Sequence, residues 1–358
     1  MTSGRRWAYI IGAILATALV LVFMIPQSRQ WLPLGQPEAQ NQNQGQAAAT
    51  EPPLPPKATV DFGAQPITPV MENGVPTYDL VLKKVAWDVG GGNWKAAYSV
   101  NGMVPGPELR VREGELTRFR VKNELDESAS IHWHGMILPA TQDGVAHLTQ
   151  DPIDPGDTFV YEFKPGPPGT HMYHSHFNGA KQVTQGLMGA LIVEPKDANH
   201  PTHPSKYDKD IVLIIGDTGL GLTMSGKSFP YNLPFKVKTG QRVLLRMINL
   251  GVGNHPMHMH GHDFRVVAKD GNAIAQPMVW NTVDIAPGET YDVAFTADNP
   301  GSWLFHCHIL PHAEGPDGMF GLTALLEYEG YEPDPTSTHR HLAPSEKRLP
   351  GVPGKHGH

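Results

Sequence analysis

The chain has 358 residues, a formal net charge of −7 and a single cysteine. One cysteine excludes an intrachain disulfide and an all-cysteine metal site, and the negative charge argues against nucleic acid as a partner. Glycine (38) and proline (34) are abundant while charged residues make up only 18%, which favours a turn-rich all-β protein over a helical one. The 19 histidines indicate metal bound by imidazole groups.

An uncharged apolar segment, residues 7–25, directly follows Arg5 and Arg6. As a helix it spans about 28 Å, close to the hydrocarbon thickness of a bilayer. Arginines on its N-terminal side place that end in the cytoplasm and the rest of the chain outside. Residues 1–26 are therefore predicted to be a transmembrane signal anchor, with a cleaved signal peptide as the alternative. The protein is predicted to be exported to the cell envelope, on the periplasmic or extracellular face, and held at the membrane by this helix.

The segment after the anchor lacks the apolar residues needed for a core. Residues 27–58 are rich in Gln, Pro, Ala and Asn and are predicted to be a disordered linker. Strand patterning follows it, because apolar and polar side chains alternate in 117–122, 157–164 and 291–295, as in half-buried antiparallel strands. Residues 331–358 are predicted to be a flexible tail that contains histidines.

The sequence also repeats itself. His174-Ser175-His176 recurs as His306-Cys307-His308, and three other short segments recur with the same offset of 132 residues. A constant offset over several segments predicts two copies of one β-domain. We place the first copy at residues 59–197 and the second at residues 198–330.

Each copy contains two His-x-His pairs. On a strand, residues i and i+2 point to the same face, so each pair can direct two imidazoles at one place. A single pair arises easily by chance, but four pairs, two in each copy, favour metal ligands over buried structural histidines. The pairs are His132/His134, His174/His176, His258/His260 and His306/His308.

Cys307 lies between two of these histidines and must point to the opposite face of its strand. One thiolate with two imidazoles and a weak axial thioether is the blue-copper ligand set, and His255 and His312 are the imidazoles we group with Cys307. Two metal centres would then be joined through one short stretch of strand. Such an arrangement suits electron transfer better than metal storage.

With these motifs in place, the sequence resembles the multicopper oxidases, specifically the laccase-like family. The likeness covers nearly all of residues 75–328 and implies two cupredoxin domains, which are Greek-key β-sandwiches. It further implies four coppers, of which one is mononuclear and accepts electrons and three form a cluster that reduces dioxygen to water. The motifs that carry it are His132-Trp133-His134-Gly135, Tyr173-His174-Ser175-His176, His255-Pro256-Met257-His258-Met259-His260-Gly261-His262 and His306-Cys307-His308-Ile309.

The resemblance assigns the copper ligands position by position. The mononuclear copper would take His255, Cys307 and His312, and the lone copper of the cluster would take His132 and His258. The paired coppers of the cluster would take the remaining members of the four pairs, namely His134, His174, His176, His260, His306 and His308.

Two further residues are assigned with the help of the resemblance. The usual axial position, five residues after His312, holds Asp317, but the repeat aligns Met319 with Leu187, so Met319 is predicted to be the axial ligand. Asp143 matches the family's acidic residue near the cluster and is predicted to relay protons to the reduced oxygen. The alternative for Asp143 is a turn residue in an Asp-Gly pair.

The first copy carries Ser175 and Ala180 where the second carries Cys307 and His312. It therefore cannot form a mononuclear blue site, and the sequence resembles the two-domain oxidases with blue copper in the second domain only. That resemblance implies a homotrimer whose copper cluster forms between the first domain of one chain and the second domain of its neighbour.

The predicted activity is one-electron oxidation of a small reductant, phenolic or metal ion, coupled to four-electron reduction of dioxygen to water. A copper nitrite reductase is an alternative, but its blue-site cysteine lies in the first domain, where this chain has Ser175. A copper-binding or resistance protein without turnover is the other alternative. The 13 methionines are scattered and form no copper-storing cluster, and the sequence does not identify the reductant.

Overall fold

The computed structural model describes residues 53–332. The predicted membrane anchor, most of the predicted linker and nearly all of the predicted tail lie outside these residues. At the linker's end, Pro56 and Ala58 already form backbone hydrogen bonds with Ala86, at 2.8 and 3.0 Å. Between residues 53 and 332, no helix is long and apolar enough to cross a bilayer.

Strands dominate the described residues, which confirms the all-β prediction. The three strands expected from alternation form at Thr117–Asn123, Thr158–Phe163 and Thr290–Thr296. In the first of them every second residue is buried, because one face packs on the core while the other faces solvent. Within residues 53–332 the helical elements are short: one α-helix, α1 (Gly179–Gln182), and 3₁₀ turns at Ala140–Gln142, Pro204–Lys206 and Leu310–His312.

Residues 66–194 form a first β-sandwich. Its strands are β1 (Pro66–Ile67), β2 (Val70–Glu72), β3 (Val75–Asp88), β4 (Trp94–Val100), β5 (Glu108–Arg112), β6 (Thr117–Asn123), β7 (Ile131–His134), β8 (Thr158–Phe163), β9 (Gly169–Ser175) and β10 (Met188–Glu194). One sheet has the order β1-β5-β10-β9-β7, and the other has the order β2-β3-β6-β8 with β4 paired to β3.

Residues 209–328 form a second β-sandwich. Its strands are β11 (Lys209–Thr218), β12 (Gly221–Met224), β13 (Phe235–Val237), β14 (Arg242–Asn249), β15 (His255–Met259), β16 (Phe264–Lys269), β17 (Asn272–Ala273), β18 (Val279–Trp280), β19 (Thr282–Ile285), β20 (Thr290–Thr296), β21 (Ser302–Cys307), β22 (Glu314–Gly315), β23 (Gly318–Met319) and β24 (Thr323–Tyr328). The sheets have the orders β12-β11-β14-β20-β16-β17, with β18 on β16, and β13-β24-β21-β15-β19; β22 and β23 pair separately.

The two sandwiches share one strand topology, as the sequence repeat predicts. The run β5-β10-β9-β7 in the first matches β13-β24-β21-β15 in the second, and in both runs the first pair is parallel while the next two pairs are antiparallel. Each sandwich encloses its own apolar core between its two sheets. The histidine pairs consequently occupy equivalent places on β7 and β9 and on β15 and β21 or just beyond their ends.

A buried seam joins the sandwiches. Its polar part centres on Arg246, which donates two hydrogen bonds to Asp210, at 2.7 and 3.0 Å, and one to the Thr170 hydroxyl at 3.0 Å. Thr170 in turn donates to the Asp292 carboxylate at 2.5 Å. Beside this network lies an apolar cluster with members from both sandwiches, among them Met172, Ala190, Ile214 and Ile248. Strand β9, which bears ligand candidates at its far end, is thereby fixed against the second sandwich.

Candidate metal centres

Antiparallel pairing brings the predicted ligands of each sandwich together. On β7 and β9, His132 is paired directly with His174, and on β15 and β21 His258 is paired with His306. Because side chains alternate along each strand, the next histidine of each pair reaches the same side. Each sandwich thus presents one group of four imidazoles.

The first histidine cluster consists of His132, His134, His174 and His176. One ring nitrogen from each of the first three lies within 4.8 Å of the others, and Nδ1 of His134 lies 3.4 Å from Nε2 of His174. The ring of His176 is centred 5.5 Å from that of His132. These separations allow the imidazoles to share metal ions.

The second histidine cluster consists of His258, His260, His306 and His308. Nε2 of His260 lies 3.0 Å from Nε2 of His306. The ring of His258 is centred 5.0 Å from that of His260 and 5.6 Å from that of His308. The second sandwich therefore offers a four-imidazole group of nearly the same dimensions as the first.

Four of these imidazoles have their tautomer fixed by the backbone. A carbonyl oxygen only accepts, so an Nδ1 atom beside it must carry the proton and donate, which leaves Nε2 with its lone pair free for a metal. These contacts are His132 to the Asp143 carbonyl (2.8 Å), His174 to Ser175 (3.0 Å), His258 to Asn281 (2.8 Å) and His306 to Cys307 (2.9 Å).

Burial favours the neutral form of four histidines in the two clusters. Removal from water lowers the pKa of His174 to about 4, and it is also the main cause of the lowered pKa of His134, His260 and His306. Only a neutral imidazole has a lone pair to give to a metal. The environment of both clusters thus favours metal binding over protonation.

In the part of the chain that the structure describes, the two histidine clusters do not contact each other. Across residues 53–332, every ring contact and hydrogen bond between these imidazoles stays inside its own cluster. The first cluster instead borders a cavity of about 410 Å³ that is also lined by Val252 and Pro287 of the second sandwich. Each cluster is therefore half of the eight-histidine set expected from the sequence.

Cys307 forms a third grouping with His255 and His312. Its Sγ atom lies 3.6 Å from Nδ1 of His255 and 3.9 Å from Nδ1 of His312, and the three donor atoms lie within 4.8 Å of one another. Cys307 and His255 are fully buried, whereas His312 is partly exposed. Burial raises the pKa of the Cys307 thiol, so a bound cation is needed to hold it as the thiolate.

Asp143 lies beside the first cluster. It follows the 3₁₀ turn Ala140–Gln142, and besides its carbonyl contact its Oδ1 atom lies 3.4 Å from Nδ1 of His132. A Cβ atom on the next residue, Gly144, would lie 1.8 Å from the Ile131 carbonyl oxygen. A glycine is thus required for this loop to approach β7 and bring the carboxylate to the cluster.

Met319 lies on β23, opposite Glu314 of β22 in the loop that follows His312. It is partly buried, whereas its counterpart in the first copy, Leu187, is fully buried. The axial role of Met319 stays a prediction. His171 and His262, which sit beside the sequence motifs, are buried and hydrogen-bonded to the Pro167 carbonyl and the Tyr328 hydroxyl.

The sequence analysis missed the groups that orient the ligands. The Asn281 carbonyl, just before β19, and the Thr282 hydroxyl, on β19, contact Nδ1 of His258. Asp217 lies 3.3 Å from Nε2 of His255. These residues are 23 to 38 positions from the ligands they touch. Nothing in local spacing could have indicated them.

Two family models, both described as multicopper oxidase, match the chain, one over residues 82–198 and the other over residues 202–321. The donor sets agree with that description, since neutral imidazoles together with a buried thiol suit copper. The chain belongs to the multicopper oxidase family.

Particular relatives are similar to different shares of the chain. Copper resistance protein A of Escherichia coli is 43% identical over 140 residues, which are 39% of this chain and 22% of that protein. Laccase-4 of Oryza sativa subsp. japonica is 31% identical over 282 residues, 68% of this chain and 48% of that protein. The chain thus spans about a fifth to a half of these curated relatives. The solved Blue Copper Oxidase from Nitrosomonas europaea has a TM-score of 0.66 at 36% identity, over 71% of this chain and 86% of that one.

Proposed function

We propose that this protein is a laccase-like oxidase that takes single electrons from a small reductant and delivers four of them to dioxygen, forming water. One observation carries the proposal. Cys307 contacts His255 and His312 on one side of β21, while His306, directly before it in the chain, belongs to the second histidine cluster. A site for electron entry and a site for oxygen reduction would thus be joined through adjacent residues.

Three groups of residues would hold copper, four ions in each complete unit. His255, Cys307 and His312 would hold the mononuclear ion, with Met319 as axial ligand. The two histidine clusters would hold the other three, with His132 and His258 on the lone ion. When bound, copper supplies the one-electron redox steps and the reduction of oxygen. The backbone carbonyls that fix four of the imidazoles keep their Nε2 atoms available.

The electron would enter at His312 rather than His255. His255 is fully buried, and the Asp217 carboxylate lies against its far nitrogen. His312 lies on an exposed 3₁₀ turn and is itself partly exposed. A reductant of either class, phenol or metal ion, would therefore meet the edge of His312 first.

Protons for water formation would pass through Asp143. Its carboxylate is partly exposed and reaches His132 at 3.4 Å, so it can connect solvent to the first cluster. A general acid must lie within hydrogen-bond reach of the group it protonates, directly or through one water. At the positions just after the His-Cys-His segment, Leu310 and Pro311 supply no second acid.

The complete copper cluster would form in a homotrimer. Each chain has two half-sets of histidines that do not meet, and a ring-closed trimer of head-to-tail contacts would join the first half of one chain to the second half of the next. Exposed apolar side chains near both halves support such interfaces. On the first half, Ile137 (82% exposed) lies three residues after His134, and Leu148 (80%) follows His147, whose ring packs on Phe177 next to His176. On the second half, Met278 and Trp280 precede the Asn281 that binds His258.

We further propose that residues 59–197 and 198–330 are two cupredoxin domains, and that residues 1–26 export the chain and anchor it at the cell envelope. The shared strand topology of the two sandwiches supports the first point. The apolar run 7–25 behind Arg5 and Arg6 supports the second.

A reductant screen tests the activity. Copper-loaded protein is expected to consume oxygen with at least one of a phenol, a ferrous salt or a cuprous salt, without releasing hydrogen peroxide. Copper content is expected to equal four ions per chain in the assembled protein. The likeness to copper resistance protein A favours a second candidate, copper binding without turnover. Full copper loading with no oxygen uptake for any reductant would support that candidate and overturn the oxidase.

Mixed trimers test the assembly. His174→Ala disables the first cluster and His306→Ala the second, so each variant alone is expected to be inactive. In co-assembled trimers, about a quarter of the interfaces would combine two intact halves and recover that share of the oxygen uptake. If the cluster formed within one chain, mixing would restore nothing.

A further inference from the structure

Asp217 sits directly behind the mononuclear ligand His255. It lies near the end of β11, with its side chain mostly buried, and its Oδ1 atom is 3.3 Å from Nε2 of His255. The other ring nitrogen of His255 faces Cys307 at 3.6 Å. The imidazole is therefore placed between a carboxylate and the predicted copper position. In metal sites a carboxylate behind a ligating histidine orients the ring and makes it a stronger donor.

The loop that precedes His255 is built around this carboxylate. Asp217 Oδ1 accepts hydrogen bonds from the backbone N–H groups of Val252 at 2.5 Å and Gly253 at 3.3 Å. A Cβ atom on Gly251 would lie 2.0 Å from the same oxygen. The chain can therefore wrap the carboxylate only because residue 251 has no side chain.

The first copy shows that the loop does not need such a carboxylate to fold. Asn249 binds the second-copy loop through the N–H of Gly251 and the carbonyl of Gly253. Asn123 does the same in the first copy, through the N–H of Leu125 and the carbonyl of Glu127. Leu125 therefore stands where Gly251 stands in the second copy, and its buried side chain belongs to the apolar core.

Lys84 of the first copy stands where Asp217 stands in the second, because the N–H of Glu124 donates to the Leu82 carbonyl as that of Leu250 donates to the Ile215 carbonyl. The carboxylate thus belongs to the copy that has the cysteine and the two imidazoles of the proposed mononuclear centre. If Asp217 served the loop alone, the first copy would need an equivalent. Resting on the function proposed above, we propose that Asp217 is a positioning residue that holds the His255 ring toward the metal and lowers the reduction potential of the mononuclear copper.

The direction of the effect follows from charge. A negative group one imidazole away from the metal stabilises the divalent ion more than the monovalent ion. Removing that charge while keeping its shape therefore favours the reduced form. The expected result is a higher reduction potential and weaker binding of Cu(II), with less effect on Cu(I).

The test compares Asp217→Asn with Asp284→Asn in the full-length, copper-loaded protein. Asp284 is an exposed carboxylate opposite Pro256, hydrogen-bonded to Asn254 at 3.0 Å. It controls for loss of a nearby charge that does not touch the ligand. Asp217→Asn is expected to lower the ratio of Cu(II) to Cu(I) affinity about tenfold, which is a rise of about 59 mV in a redox titration of the visible band. Asp284→Asn is expected to change the reduction potential by less than half as much.

A second pair of variants covers the possibility that Asp217→Asn fails to fold. Gly251→Ala would push the carboxylate away from the loop and is expected to raise the potential as well. Val252→Ala is the matched control, because the Val252 side chain points outward and the variant keeps the backbone N–H group. It should leave the potential unchanged. Equal potentials in wild type and both test variants would overturn the proposal.

The wild-type spectrum separates this outcome from failure of the proposed function. A visible thiolate-to-copper band in the wild type, with unchanged potentials in the variants, would reject the role of Asp217 alone. Absence of that band from the copper-loaded wild type would reject the mononuclear centre itself, and with it this proposal.

Discussion

The two sandwiches place different chemistry at the same point of the same strand framework. In the first, the Ser175 hydroxyl donates to Gln182 at 2.6 Å, and Gln182 is fully buried and donates onward to the Ser128 carbonyl at 2.9 Å. In the second, Cys307 faces two imidazole nitrogens. The pocket around Ser175 is closed by its own hydrogen bonds. The pocket around Cys307 brings together donor atoms that one metal ion can bind.

This difference teaches that the framework and the metal centre are specified separately. The histidine pairs lie at equivalent positions in both sandwiches because strand pairing dictates them. The proposed mononuclear centre depends on a few side chains that only the second sandwich carries, namely His255 on β15, Cys307 on β21 and His312 on the turn after it. A fold copied by duplication can therefore keep one function in both halves and a second function in only one.

The largest effect is expected from Cys307→Ser, which gives the second sandwich the residue of the first. A hydroxyl does not replace a thiolate as a copper ligand, so the visible absorption and oxygen uptake should both fall to background. Copper analysis should show the loss of one ion per chain. Ser175→Cys is the matched control and should create no new blue site, because Ala180 provides no imidazole. Turnover that survives in Cys307→Ser would contradict the electron route.

Asp143→Asn tests the acid that lies beside the first histidine cluster. The amide keeps the shape but cannot carry the proton, so oxygen uptake should fall by about 100-fold or more, the usual contribution of a general acid. Copper content should not change. Glu124→Gln, an exposed acid of the same sandwich, should turn over normally. Unaltered turnover in a fully loaded Asp143→Asn protein would leave Asp143 as a turn residue.

Thr170→Val tests the buried seam between the sandwiches, and the equivalent residue of the second sandwich, Ser302, provides the comparison. Thr170 is fully buried between Arg246 and Asp292, so its loss leaves buried charged groups short of a partner and should cost about 1–3 kcal/mol in the free energy of unfolding. Ser302, the equivalent residue of the second sandwich, is partly exposed, and Ser302→Ala should stay within about 0.5 kcal/mol. Denaturant titration measures both. Equal effects would mean that the seam carries no special stability.

Met319→Leu is expected to give the smallest change, because the predicted role of Met319 is that of a weak ligand and Leu is the residue of the first copy. Loss of an axial thioether favours Cu(I), so the midpoint potential should rise on the order of 60 mV, a tenfold change for a one-electron couple. The visible spectrum should shift as well. An unchanged spectrum and potential would show that Met319 is not the axial ligand. Met71→Leu, at an exposed position of the first sandwich, serves as control.

The sequence was informative where chemistry depends on short spacing. The His-x-His pairs, the opposite direction of Cys307 and the two-copy fold all follow from strand alternation and a constant offset. The packing partners could not be predicted in this way. Asp217 of β11 and the Asn281 carbonyl lie 38 and 23 residues from the histidines they contact, His255 and His258, and their positions depend on how strands distant in the chain pack together.

The register of β21 has a consequence for how the protein tolerates change. Phe305 faces the core next to His306, and the pairing of Met257 with Cys307 fixes which side each residue takes. A single inserted residue in this strand would turn the Cys307 sulfur toward the second histidine cluster. It would turn the imidazoles of the strand toward the side that the sulfur occupied. Both centres would fail at once from a change that leaves every ligand in the sequence, so this short stretch should accept substitutions far more readily than insertions or deletions.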